Sequence, residues 1–185
     1  MSVWLSRVFP LLLVALGGLA QLPEAERLAP YVPSPQPVVE RMLEAAALKP
    51  GEMVYDLGCG DGRILITAAE KYKAKGVGVE LSARLVQEAQ EAVRKRGLQN
   101  WISIVQGNLL EADVSGADVV TLYLLTSSNA RLQPKFERTL KKGARVVSHD
   151  FAIRGWKPSR VEKVQVSQRT HTIYVYEVGK TSLAR

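Results

Sequence analysis

The 185-residue chain has one cysteine, Cys59, and two histidines, His149 and His171. A single cysteine excludes an intramolecular disulfide framework and a cysteine-rich metal centre. The histidines stand far apart in sequence without the spacing of a metal-ligand pair, so no metal is expected. Aromatic residues are few, at 6%. None forms a stripe through the basic stretches around Arg138 to Arg145 and Arg154 to Lys163. A nucleic-acid groove, which needs stacking platforms beside its cations, is therefore not indicated. Internal repeats and low-complexity tracts are also missing. So is any uncharged apolar run of the roughly 20 residues that a membrane-spanning helix needs.

What is present is a chain long enough for one domain with its own core, 46% hydrophobic and 23% charged. The net charge of +7 favours anionic partners weakly; the simplest reading of it is a solvated basic surface. Three stretches differ in character. Residues 1–27 hold the apolar run Val8 to Ala20, preceded by Arg7 and followed by Gln21, Pro23, Glu24 and Glu26. A basic start, a short apolar stretch and small residues at Gly18 and Ala20 suit a signal peptide or a single anchor. Residues 28–49 begin with the proline-rich LAPYVPSPQP, expected to be extended. There Ser34 is the expected cap of a helix whose first position is Pro35. Val38, Val39, Met42, Leu43 and Ala46 share one face of that helix, which should pack beside a sheet and roof a site.

Residues 50–185 alternate between strand and helix patterns. Strands are predicted at Met53 to Leu57, Gly76 to Glu80, Ile102 to Val105, Asp118 to Leu125 and Arg145 to Phe151. Helices are predicted from Ile64 to Tyr72, from a Ser82 cap to Arg96, and from a start between Ser127 and Pro134 to Gly143. Val161 to Ser167 and Thr172 to Val178 alternate in twos, as the strands of an antiparallel hairpin do. Such alternation implies an α/β fold: a Rossmann-like, mostly parallel sheet of seven strands, with helices on both faces and a C-terminal antiparallel hairpin.

Ligands of open sheets bind beyond the carboxyl ends of the strands. That rule gathers Asp56 to Arg63, Glu80, Gln106 to Leu109, Tyr123 to Asn129 and His149 to Trp156. In the run DLGCGDGR, Gly58, Gly60 and Gly62 let the backbone turn tightly and approach a ligand. The helix after them offers free N–H groups to a carboxylate. Asp56 can attract an ammonium, and Glu80 can accept both hydroxyls of a ribose. The spacing is G-x-G-x-G rather than the G-x-G-x-x-G of dinucleotide binding. Cys59 reads as a small packing residue.

VYDLGCGDGRI resembles motif I of the class I S-adenosylmethionine-dependent methyltransferases, and GVGVE resembles their second motif. Gly107-Asn108-Leu109 is similar to their third motif, with Asn108 where most members have aspartate. YVPSPQPVVERML beside DLGCGDGRI narrows the likeness to bacterial relatives of the mitochondrial lysine methyltransferases of the ATP synthase c subunit and the adenine nucleotide translocase. Those proteins also carry a hydrophobic N-terminal segment. The resemblance implies S-adenosyl-L-methionine as cofactor, held by Asp56, Gly58, Gly60, Gly62, Glu80, Asn108 and Tyr123. It implies methyl transfer to a protein lysine, with a membrane protein among the expected substrates.

No dedicated nucleophile is expected, because the donor's methyl is already activated, and no catalytic residue is assigned. Candidates for the acceptor side are Tyr123, Asn129, His149, Asp150, Phe151 and Trp156. His149-Asp150 could act as a base and its partner, or simply end a strand. The fourth strand ends Leu124-Leu125-Thr126-Ser127, without the N-P-P-Y-like signature of enzymes that methylate exocyclic amines of bases or glutamine. Alternatives are a small-molecule or lipid methyltransferase and a non-catalytic cofactor-binding protein. The positive-inside rule would send the domain outward behind Arg7. A donor made inside cells favours a membrane-attached domain facing the cytoplasm instead; export behind a signal peptide is the alternative.

Overall fold

The computed structural model describes residues 31–180, so the apolar run Val8 to Ala20 lies outside the described residues. The elements run α1 (Gln36–Ala45), β1 (Met53–Leu57), α2 (Arg63–Tyr72), β2 (Lys75–Glu80), α3 (Ala83–Lys95), β3 (Ile102–Gln106), β4 (Val119–Leu122), α4 (Thr126–Thr139), β5 (Arg145–His149), β6 (Arg160–Val166) and β7 (Arg169–Glu177). They build one seven-stranded sheet in the order β3-β2-β1-β4-β5-β7-β6. The first five strands are parallel; β7 runs antiparallel to β5 and to β6. This is the expected architecture. The order reverses beside β1, between β2 and β4, which creates the crevice where such sheets bind ligands.

Two apolar layers sandwich the sheet. Beneath it α1, α2 and α3 contribute Met42, Leu43, Leu65, Ala68, Val86, Ala89 and Val93, which pack on Val54, Ile104, Val147 and Ile173. On the other face Leu132 and Phe136 of α4 join Leu57, Val120, Leu122, Val146, Ile153, Trp156 and Tyr176. Among the described residues, α4 is the one helix on that second face. Residues 107–118 pass from β3 to β4 through turns without a helix. A concavity of about 330 Å³ is left on the sheet there, floored by Tyr55, Val77, Val79 and Val105.

The alternation of glycine along β2 has a packing reason. A Cβ on Gly76 would stand 2.7 Å from Leu65, and one on Gly78 would meet Cys59, Ile104 and Leu65 at 2.7–2.9 Å. Their absence lets α2 settle close to the strand. Cys59 is buried in this layer, and burial raises its thiol well above the ordinary value. It is a packing residue, as expected.

Several boundaries differ from the sequence reading, three of them with consequences for the site. The fourth strand stops at Leu122 and the fifth at His149. Their last expected residues leave the ladder to form the site. Helix α4 begins at Thr126, before the expected start between Ser127 and Pro134, carries Pro134 within it, and ends at Thr139 rather than Gly143. Ser34 does not cap α1. The helix is capped at Pro35, with no side-chain hydrogen bond, and Ser34 Oγ lies instead 2.9 Å from His149 Nδ1. The other cap holds: Ser82 Oγ accepts from Leu85 N at the start of α3.

Candidate active site

The loop between β1 and α2 takes the left-handed backbone at Gly58 (φ 83°), Gly60 (54°) and Gly62 (79°), which residues with a side chain adopt only under strain. It is tied to the end of β2: Gly58 N donates to Val79 O at 2.8 Å and Gly60 N to Glu80 Oε2 at 3.1 Å. Glu80 Oε1 accepts from Ser82 N at 2.9 Å. The carboxylate is thus held at both oxygens, each with a lone pair left for a diol. The third tip joins through Gly107 N, which donates to Glu80 O at 3.0 Å. The expected meeting of Asp56, the glycines, Glu80 and Asn108 at the strand ends is therefore what the fold produces.

Asp56 is buried, and its Oδ1 accepts from Thr121 Oγ1 at 2.7 Å. Burial pushes its carboxyl up to about 7, helped by the charges of Glu80 and Asp61 and opposed by the Thr121 hydroxyl. A cationic ligand at the cleft would be welcome to such a group. Asn108 Oδ1 accepts from Leu110 N at 3.0 Å, so it also shapes its own turn. Its oxygen keeps one lone pair for an adenine amino group.

Two residues were not anticipated in these roles. Tyr31 stands over the glycine loop so closely that a Cβ on Gly60 would fall 2.5 Å from its ring. Arg63 grips Asp61 and donates from Nη1 to Ser34 O at 2.9 Å, binding the segment before α1 to the loop. Nothing in the periodicity of YVPSP announces either contact.

The six acceptor-side candidates separate. Trp156 is buried in the α4 layer, with Nε1 donating to Glu137 Oε1 at 2.9 Å, and takes no part in the cleft. Asn129 is fully buried; its Nδ2 donates to Ser148 Oγ at 3.2 Å and to Phe151 O at 2.9 Å. It fixes the loop after β5. His149 is fully buried too, and burial pushes its imidazole down to about 4. It is a neutral ring without access to a substrate, which overturns the notion of His149 as the base. Tyr123 and Phe151, just past the ends of β4 and β5, stay half-buried, their ring centres 6.1 Å apart. Tyr123 stacks on His149 at 3.8 Å. Burial, then the charge of Asp150, raises the Tyr123 hydroxyl above its ordinary value, so it stays protonated at neutral pH.

Spacing had argued against a histidine pair, but β7 returns His171 to the tip of β5. His149 Nε2 and His171 Nδ1 lie 2.8 Å apart, with Asp150 beside them. Antiparallel return is invisible to a spacing rule.

The family model of the ANTKMT methyltransferase domain matches residues 56–160, from the tip of β1 to the start of β6. The chain belongs to that methyltransferase family. It is 51% identical to a protein-lysine N-methyltransferase of Saccharolobus islandicus (strain REY15A), over 82% of this chain and 94% of the relative. It is 32% identical to the mouse adenine nucleotide translocase lysine N-methyltransferase, over 80% of this chain but only 63% of that longer protein. Among solved structures, an RNA methyltransferase from Salinibacter ruber in complex with S-adenosyl-L-homocysteine is 44% identical, covers 80% of this chain and 95% of its own, and superposes with a TM-score of 0.75.

The methyltransferase uses S-adenosyl-L-methionine, and its residues fit that molecule. The glycine cradle has no room for side chains, Glu80 is held as a double acceptor, and the buried Asp56 faces the need for a cation. When bound, the cofactor supplies a methyl group already activated by its sulfonium. The chain's own task is to orient the acceptor against it and to exclude water.

Proposed function

We propose that this methyltransferase acts on the ε-amino group of lysine in a protein substrate. The observation that carries the reading is the half-identity to the Saccharolobus protein-lysine enzyme across nearly all of that relative. The cleft is chemically suited to it. Aromatic faces such as Tyr123 and Phe151 accept an aliphatic stem ending in an ammonium. A low-dielectric setting favours the neutral amine, the form that can attack, so no side-chain nucleophile is required. Asp56 and Glu80 hold the donor; Tyr123 and Phe151 steer the acceptor; Asn129 and His149 keep those two residues in place from behind.

A membrane protein is the substrate class this reading favours, with the run Val8 to Ala20 holding the domain at the membrane on its cytoplasmic side. A second reading, methylation of RNA, is favoured by the name of the Salinibacter relative. Against it stand the fourth-strand tip Leu124-Leu125-Thr126-Ser127 and the want of an aromatic stripe among the cations.

Incubation with methyl-labelled donor and separated membrane, soluble and RNA fractions tests these readings together. Protease-sensitive label, concentrated in membranes, is the expected outcome. Nuclease-sensitive label would transfer the assignment to RNA, and label confined to solvent-extractable molecules would place the substrate among lipids or metabolites.

A further inference from the structure

Away from the glycine loop, the tips of β5 and β7 bring three ligand atoms into a triangle. His149 Nε2 is 2.8 Å from His171 Nδ1 and 3.4 Å from Asp150 Oδ2, and His171 Nδ1 is 3.1 Å from that same oxygen. We propose that His149, His171 and Asp150 form a binding site for one divalent metal ion of the zinc class, its fourth position left to water. Two nitrogens and one carboxylate oxygen are a donor set zinc accepts. Ligands about 2.0–2.1 Å from a tetrahedral ion stand about 3.3 Å from one another. The triangle therefore needs adjustments of only a few tenths of an ångström.

The hydrogen-bond inventory gives an independent reason. Ser34 Oγ, itself buried, lies 2.9 Å from His149 Nδ1, within hydrogen-bond reach of that nitrogen. Such an outer partner is what fixes the tautomer and ring orientation of a metal-binding histidine. With a proton on Nδ1 toward Ser34, His149 Nε2 carries the lone pair that a metal ion takes.

Asp150 is built for the same end. It holds the left-handed backbone at φ 58°, a strained conformation that persists only where its surroundings impose it. Its Oδ1 accepts from Thr172 N at 2.8 Å, which turns Oδ2 inward to the histidines. One cation competes: Arg169 Nη2 donates to Oδ2 at 3.0 Å. The arginine side chain is 64% exposed and also reaches Tyr123. In the metal-free chain it supplies the positive charge that the ion would bring. Tyr123, stacked on His149, is the remaining titratable side chain at the cluster, and it stays neutral. A bound ion would tie β5 to the β6–β7 hairpin and stiffen the backing of Tyr123.

The chain has two histidines and a buried cysteine, so zinc binding is easily assigned. The untagged full-length protein, stripped with chelator, is titrated with zinc against a chromophoric competitor. Its two imidazole rings are followed by nitrogen-15 spectra. Expected are one equivalent per chain and zinc-dependent shifts at one nitrogen of each ring. His171→Gln should weaken binding at least about 100-fold. Arg169→Ala keeps every ligand and should strengthen binding several-fold, a gain that general damage to the fold cannot produce. Failure to bind a stoichiometric equivalent would overturn the site, as would binding indifferent to His171→Gln.

Discussion

Glu80 does two things with one carboxylate: its oxygens hold the N–H groups of Gly60 and Ser82, and they remain free to accept the ribose. Replacing Glu80 with alanine removes both. Hydrogen bonds to a charged group contribute about 1.5–3 kcal/mol each. Glu80→Ala should therefore weaken S-adenosylhomocysteine by roughly two orders of magnitude or more in calorimetric titration, with the circular dichroism unchanged. Asp56 gives a pH test. Its carboxyl is raised to about 7 in the cofactor-free protein, chiefly by burial, and an ammonium ligand prefers it ionised. Below that pH, binding must first release a proton, so affinity rises with pH, by up to about tenfold per unit, and levels off above 7. Asp56→Asn should flatten the profile between pH 5 and 7; a wild-type profile flat over that range would detach Asp56 from the cofactor's cation. Both residues were legible in the sequence, because a strand tip and a glycine loop position them locally. His171 and Tyr31 were not, since each reaches the site by a long return of the chain.

Among the elements, β2 is the one whose composition does most for the fold. Valines and glycines alternate in GVGV, and the structure gives the glycines a task distinct from any motif: they let Leu65 and Cys59 close down on the strand. Gly78→Ala would set a methyl 2.7–2.9 Å from three side chains. Overpacking of this kind costs about 1–3 kcal/mol. The melting temperature should drop by several degrees, while cofactor affinity at the melting-free temperature range stays near wild type; an unchanged melting temperature would mean that α2 is not packed as described. The strand and helix periods gave correct elements here because one buried face dictates them. They failed where tertiary contacts override local preference. Ser34 abandons a cap for His149, and α4 runs through Pro134 because Leu132 and Phe136 flank it in the core.

For the whole molecule, the parallel strands with their antiparallel hairpin were readable from the order of patterns alone, since right-handed crossovers leave few alternatives. What the patterns did not convey is the uneven covering of the sheet. Among the described residues, three helices lie on one face and α4 alone on the other, with turns in place of a helix between β3 and β4. Nor did they convey which side chains after β5 face the cleft, because a loop carries no period. The cofactor half of the site is thus a property of local motifs, and the acceptor half a property of the assembled fold. The most direct test of the acceptor half is acid hydrolysis of protein labelled by the enzyme with methyl-labelled donor, followed by chromatography against methylated amino-acid standards. The label should elute as N-methylated lysine and vanish with Glu80→Ala. Label on any other amino acid, or none in protein at all, would contradict the assignment to lysine.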